Sequence, residues 1–242
     1  MCGRYVSPDE SSIEREFNLV RSEWQFPANF NVAPTQLVPI IRRVEATASL
    51  ALLRWGLIPF FAHGIAPKYS TINARIETVQ TAASYRGPWK RGRRCLVLAR
   101  GFYEWQIQAD GKTKLPYYIH LNDQELFAFA GLWDQSVTAA GDVVESCVHL
   151  TMPANRLLAE IHNGKARMPA ILSRADREVW LDGSPHDAWA ALKPYPDEHM
   201  VAWPVSTRVN KPANNDPGLL EPAPPPQDTG NVNENRAPPP ER

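Results

Sequence analysis

The stretch CLVLARGFYEWQIQADGKTKLPYYIHLNDQELFAFAGL, residues 95–132, decides the architecture. It holds four short runs rich in β-branched and aromatic residues: Cys95–Leu98, Phe102–Gln106, Tyr117–Leu121 and Leu126–Leu132. Turn signals at Asp110-Gly111 and Asn122-Asp123 separate them, which predicts strands joined by tight connections and paired antiparallel. Outward from this stretch the same character recurs at Gln36–Ile41, Ser49–Leu57 and Cys147–Thr151, with a further turn at Gly141-Asp142.

Helical spacing is confined to three segments. Ser11–Phe17 has Ser11 as a candidate cap with Glu14 three residues on. Ala154–His162 places Leu157, Leu158 and Ile161 on one side, and Arg174–Leu181 follows Ser173 as a cap. Strands dominate, so the expected fold is α+β: a single domain with a mostly antiparallel, curved or barrel-like β-sheet core and peripheral helices. That domain is expected to span residues 1–213. From Asn214 the chain is dense in proline (Pro222, Pro224–Pro226, Pro238–Pro240) and poor in apolar anchors, so residues 214–242 are expected to form a disordered tail.

At 242 residues with 43% apolar content, the chain can bury a substantial core. No stretch approaches the roughly 20 apolar residues of a membrane span, and the N-terminus lacks a signal-peptide layout. The expected location is therefore the cytosol or nucleoid of a bacterium, without membrane association. Cys2, Cys95 and Cys147 are odd in number and widely spaced, which argues for reduced thiols and against a disulfide framework or a zinc site. No metal or cofactor is expected.

The zero net charge conceals an asymmetry, with a basic surplus in residues 1–100 and an acidic one beyond. Arg86, Lys90, Arg91, Arg93, Arg94 and Arg100 run together without an intervening acid, interleaved with Tyr85 and Trp89. Such a run is either a solvated face or a surface for phosphate contact with base stacking.

Cys2 stands directly after Met1. Its side chain is small enough for routine removal of a preceding Met, so the mature chain is expected to begin with Cys2. One residue would then carry an α-amine with a pKa of about 7.7–8.0 and a thiol with a pKa of about 8.5. Such a residue can attack an acyl group through sulfur. It can also condense with an aldehyde through its amine and close a thiazolidine ring. Elsewhere, Asn73, Arg75 and Glu77 share one face if Ile72–Glu77 is extended, as a solvated edge or as part of a site. Glu104 sits among aromatics in Gly101-Phe102-Tyr103-Glu104-Trp105, either pointing outward or partly buried as a general acid. His162 ends a predicted helix, where the helix dipole favours the protonated imidazole, as a cap or as a proton donor.

These stretches together resemble the SOS-response-associated peptidase (SRAP) family, whose members process abasic sites in single-stranded DNA. The resemblance rests on Met1-Cys2-Gly3-Arg4, Phe30–Pro34, Arg54–Pro59, Ile72–Thr78, Gly101–Trp105, Ile161-His162 with Arg167-Met168-Pro169, and Pro204-Val205-Ser206 with Arg208-Val209-Asn210. It implies that Cys2 is the nucleophile and crosslinking residue, that Asn73 holds the aldehyde and the thiol, that Glu104 acts as acid and base, and that His162 manages protons during sugar-ring opening. Arg4, Arg75 and Arg86 would bind phosphates, with Phe60 and Phe61 the nearest matches to an aromatic wedge beside the lesion. The implied function is a covalent thiazolidine crosslink to abasic single-stranded DNA that shields the lesion from cleavage, carried out by a monomer. The alternative is a cysteine peptidase acting on itself or on peptides. The tail is where replication-fork proteins would attach. Two departures stand out: Arg100 where relatives commonly carry Asp, and an extended segment Asn163-Gly164-Lys165-Ala166 after His162.

Overall fold

A computed structural model describes residues 2–17, 26–45 and 47–223. The strands are β1 (Arg4–Ser7), β2 (Asn29–Val32), β3 (Leu37–Val44), β4 (Thr47–Trp55), β5 (Asn73–Arg75), β6 (Arg94–Ala99) and β7 (Gly101–Ile107). They continue as β8 (Lys114–Leu121), β9 (Phe127–Val137), β10 (Val143–Pro153), β11 (Arg167–Pro169), β12 (Ile171–Leu172) and β13 (Met200–Pro204). The helices are α1 (Glu10–Phe17), α2 (Ile76–Val79), α3 (Ala83–Lys90), α4 (Arg156–Ile161), α5 (Asp176–Asp182) and α6 (Pro185–Ala190).

Five strands form a closed barrel. β4, β3, β6, β9 and β10 pair in succession, and β10 returns to β4 in parallel register, with Cys147 opposite Trp55. Closure removes the exposed edges of a short-stranded sheet. A second sheet, ordered β13-β8-β7-β1-β2, is antiparallel throughout. The α+β fold expected from the sequence is therefore present, with helices outside a barrel. The parallel contacts of β10 with β4 and β5 are the exceptions to antiparallel pairing among the described strands.

The main core fills the space between the layers. Tyr5 meets Trp55 and Phe129 edge-on at 5.3 and 5.9 Å, and Phe102 and Phe127 meet Phe129 in the same way. Such edge-to-face packing adds to the area buried. Gly101 opens β7 because Tyr118 of β8 lies across it: a Cβ there would sit 2.3 Å from the Tyr118 ring. Tyr118 thereby packs against Tyr103 and Trp203.

Several sequence expectations are corrected. Asp9, not Ser11, caps α1, its carboxylate accepting the Ser12 N–H at 2.9 Å. The extended segment at Asn73 stops at Arg75, and Glu77 lies in α2, so the three polar residues do not share a strand face. Residues 214–223, expected to belong to a disordered tail, are ordered. Leu219 is fully buried in a small core with Val6, Tyr103, Tyr118, Val205 and Val209, and the Trp203 indole N–H donates to the Leu220 carbonyl. Leu219 and Leu220, the Arg208–Asp216 ion pair, the Val205–Pro222 bridge and the Asn31 donation to the Asn214 carbonyl order residues 214–223. The remaining tail residues, 224–242, lie outside the described residues.

His149 of β10 is an unusual core residue. It is fully buried between Trp55 and Phe129, at ring distances of 5.2 and 5.1 Å, and neither ring nitrogen has a hydrogen-bond partner among the described residues. Burial pushes its pKa down from 6.5 to about 3, so the folded ring is neutral. Below pH 6.5 the unfolded chain takes up this proton and the folded one does not, so stability falls as pH drops toward 3. His149→Leu removes this contribution. Its stability advantage over the wild type is expected to be about 2 kcal/mol greater at pH 5 than at pH 7 by urea denaturation. An advantage independent of pH would contradict the neutral, buried imidazole.

Candidate active site

β1 carries the N-terminal segment into the molecule. It is held between β2 and β7, with Arg4 opposite Tyr103 and Tyr5 opposite Phe102. Cys2 precedes the paired region and is only 1% exposed, its thiol donating to the Arg4 carbonyl at 3.4 Å. Asn73 reaches it from β5, which is fixed by pairing with β10 at His149. The Asn73 Nδ2 donates to the Cys2 carbonyl at 2.8 Å, while Oδ1 is buried with no partner among the described residues. Tyr85 of α3 braces the same residue, its hydroxyl donating to the Asn73 carbonyl at 3.4 Å.

Glu104 lies mid-strand on β7 and is 2% exposed. His162 follows the last turn of α4, and its Nδ1 is 3.8 Å from Glu104 Oε1. The same Nδ1–H donates to the Arg167 carbonyl at 2.8 Å, which in the neutral ring leaves the lone pair on Nε2. Arg167 is held in turn by ion pairing with Glu77 and by donation to the Thr151 carbonyl at 2.6 Å. Cys2, Asn73, Glu104 and His162 are thus linked through contacts between β1, β5, β7 and α4.

Burial controls the electrostatics. It raises the Glu104 carboxyl from 4.5 to about 7, so both protonation states are populated near neutrality. It also pushes the Cys2 thiol far above its ordinary value, and the neighbouring Glu104 charge pushes it further. His162 moves opposite to the sequence expectation: burial lowers its pKa and outweighs the hydrogen bond to the Arg167 carbonyl, which raises it.

Beside these groups opens a cavity of about 420 Å³ lined by Glu104, Trp105, Ile107, Lys114, His162, Gly164 and Lys165. Its size suits a small ligand or one unit of a polymer. Trp105, Lys114 and Lys165 were not singled out from the sequence. Their only signals were the aromatic run around Glu104 and the extended segment after His162.

The other sequence candidates are dispersed. Arg4 turns inward and donates to the Val209 carbonyl at 2.7 Å and to Asn31 Oδ1 at 3.2 Å, tying β1 to the C-terminal segment. Arg75 and Arg86 are exposed, with no hydrogen bond or salt bridge among the described residues. Phe60 and Phe61 are 53% and 45% exposed on a 3₁₀ turn, where the Phe60 N–H donates to Asp134. Asp134 faces Ser146 across β9 and β10, three residues before His149 meets Asn73, roughly 10 Å along the strand.

Most of the basic run is consumed by the fold. Arg91 and Arg93 neutralise the buried Asp134, Arg100 pairs with Glu125, and Arg94 is buried over Trp180. Tyr85 and Trp89, read as possible base-stacking residues, are buried instead, Trp89 between Trp180 and Trp189. Arg86 and Lys90 are the members left exposed without an ion pair among the described residues.

The fold and site define a β-barrel protein whose candidate nucleophile is the second residue of the chain, backed by an amide, a carboxylate and an imidazole. The chain belongs to the SOS response associated peptidase (SRAP) family, whose model matches residues 1–212. It is 38% identical over 227 residues to the abasic site processing protein YoqW of Bacillus subtilis, covering 91% of this chain and 99% of that protein. It is 34% identical to the abasic site processing protein HMCES of Xenopus tropicalis, covering 81% of this chain and 66% of that one. A solved structure of a Bacteroides thetaiotaomicron protein superposes with a TM-score of 0.82 at 28% identity, covering 92% of this chain and all of that one.

The arginines separate by role. Arg4→Gln is expected to cost about 1.5–3 kcal/mol of stability through its charged hydrogen bonds. Arg75→Gln and Arg86→Gln should stay within about 0.5 kcal/mol. Thermal denaturation checks this, and an unchanged melting temperature for Arg4→Gln would contradict the inward role.

Proposed function

We propose that this protein processes abasic sites in DNA by forming a covalent thiazolidine with the lesion through Cys2 after Met1 is removed. The observation that carries the reading is the pairing of two opposed demands at one place: a thiol held protonated by burial, beside a carboxyl whose pKa is about 7. A protonated thiol is a poor first nucleophile. An α-amine with a pKa of about 7.7–8.0 is a better one near neutrality. The order of events is therefore amine first and sulfur second.

In this mechanism the open-chain aldehyde of the abasic sugar accepts the Cys2 amine at C1′ to give a carbinolamine. Glu104 in its acid form protonates the departing hydroxyl, and water leaves as the imine forms. The thiol then adds across the C=N bond: sulfur bonds to carbon and the thiol proton passes, through Glu104, to nitrogen. The product is a five-membered ring, with one water lost overall. The imine no longer exists to drive β-elimination, so the strand stays intact. The Asn73 amide N–H, already on the Cys2 carbonyl, orients the nucleophile, and its buried Oδ1 is an acceptor with no partner among the described residues. His162, with its Nδ1 proton fixed, supplies Nε2 for proton exchange with the sugar oxygen.

The exposed guanidiniums of Arg75 and Arg86 suit backbone phosphates. Access to C1′ favours single-stranded DNA, which needs no unstacking from a duplex. Names carried by relatives, abasic site processing proteins in a bacterium and in a vertebrate, support the substrate. The raised thiol weighs against the peptidase alternative, which requires a thiolate at the outset.

Denaturing gels with an abasic oligonucleotide test the chemistry. Cys2→Ala should give no stable covalent band, and a band of undiminished yield would refute the assignment. Cys2→Ser keeps the amine and should leave an imine that borohydride traps, with strand cleavage restored. Glu104→Gln is expected to slow adduct formation by about 10²–10⁴ while non-covalent affinity for single-stranded DNA is retained. Equal loss of affinity would make Glu104 structural.

A further inference from the structure

Two lysines bound the outer side of the cavity beside Glu104 and His162, and the mechanism uses neither. Lys114 opens β8, and Lys165 lies in the turn after α4. Both are exposed, and neither ammonium has a hydrogen bond or salt bridge among the described residues. Arg42, Arg93, Arg100 and Arg167, by contrast, are each matched by a carboxylate. Two like charges on one cavity repel each other unless an anion enters between them.

The turn that presents Lys165 is built, not slack. The Asn163 side chain acts as a strand partner for Ile107 of β7: its Oδ1 accepts the Ile107 N–H at 3.0 Å and its Nδ2 donates to the Ile107 carbonyl at 2.8 Å. Gly164 packs so closely on the same residue that a Cβ would sit 2.8 Å from Ile107 Cδ1. The N–H groups of Lys165 and Ala166 both donate to the His162 carbonyl, at 3.1 and 2.8 Å, and Ala166 takes a positive φ of 46°. The residues holding Lys165 in place therefore include His162 itself. Burial dominates the pKa values of Glu104 and His162, and the Lys165 charge draws both down in addition. Between the lysines, Trp105 and Ile107 supply an apolar wall, and the Trp105 indole N–H is fixed on Asn210 at 2.9 Å.

We propose that Lys114 and Lys165 form an anion subsite that holds a backbone phosphodiester of the DNA strand flanking the lesion, with the adjoining sugar or base against Trp105 and Ile107. This assignment rests on the abasic-site reading. It places a phosphate contact on the β7–α4 side of the site, apart from Arg75 and Arg86 on the β5–α3 side. The strand would then be gripped on both sides of Cys2.

The test is the salt dependence of non-covalent binding to an intact single-stranded oligonucleotide, measured by fluorescence anisotropy. Each lost phosphate contact on a single strand lowers the slope of log K against log salt by about 0.7. Lys114→Gln with Lys165→Gln should lower the slope by about 0.7 and weaken binding roughly fivefold at moderate salt, whereas Lys165→Arg should keep the slope. Lys193→Gln, beside α6, is the charge control and should change neither. An unchanged slope in the double variant, with an unaltered melting temperature, would overturn the subsite, as would an equal drop from Lys193→Gln. Calorimetry with inorganic phosphate alone is expected to show no lysine-dependent binding; tight binding there would assign the site to a free anion instead of a strand. Failure of wild-type protein to crosslink an abasic oligonucleotide would overturn the abasic reading separately, since the salt slopes need no covalent step.

Discussion

The pairing of β10 is the constraint on which the rest of the structure depends. β10 joins β9 and β4 to close the barrel, and further along its length it holds β5 and β11. The closing strand is therefore also the strand that fixes Asn73 through β5 and sets Arg167, on β11, against His162. A slip of one residue in β10 would reverse its faces and dismantle both at once. Barrel stability and site geometry share one set of hydrogen bonds.

The chemistry depends on burial in a similar way. Cys2, Glu104 and His162 are nearly inaccessible, and desolvation moves each toward its neutral form. A site of half-ionised acid, neutral imidazole and protonated thiol is poorly suited to thiolate attack on an amide. It suits a reaction that begins at an amine, passes through an imine and ends with sulfur closing a ring, because every step needs a proton delivered or received near neutral pH. Lys165 at the cavity mouth adds a positive charge that restrains the upward shift of Glu104.

Much of this was legible in the residues. The four runs between Cys95 and Leu132 became β6 to β9, because alternating or continuous apolar runs cut by Asp-Gly and Asn-Asp turns have few other solutions. Barrel closure was not legible, since the pairing of β10 with β4 joins Ser146–Cys147 to Arg54–Trp55 and no local pattern encodes that contact. Cys2, Asn73, Glu104 and His162 are the residues that chemistry and family pattern propose, and the fold sets Asn73 on Cys2 and His162 beside Glu104. The basic run misled because charge along a sequence does not reveal partners: Asp134 and Glu125, distant in the chain, absorb Arg91, Arg93 and Arg100. The polar composition of residues 214–223 misled because Leu219 and Leu220 pack on a small core and Asn214, Asn215 and Asp216 find partners distant in the chain or across the turn.

The central claim is that the amine and thiol of one residue act together on an aldehyde in DNA. Intact mass spectrometry of the protein, before and after incubation with an abasic oligonucleotide and with borohydride added at the end, tests it most directly. The account predicts a chain lacking Met1, an adduct equal to protein plus oligonucleotide minus one water, and no mass gain from borohydride once the ring has closed. An adduct on a chain that retains Met1, or one that borohydride reduces at every time point, would contradict it.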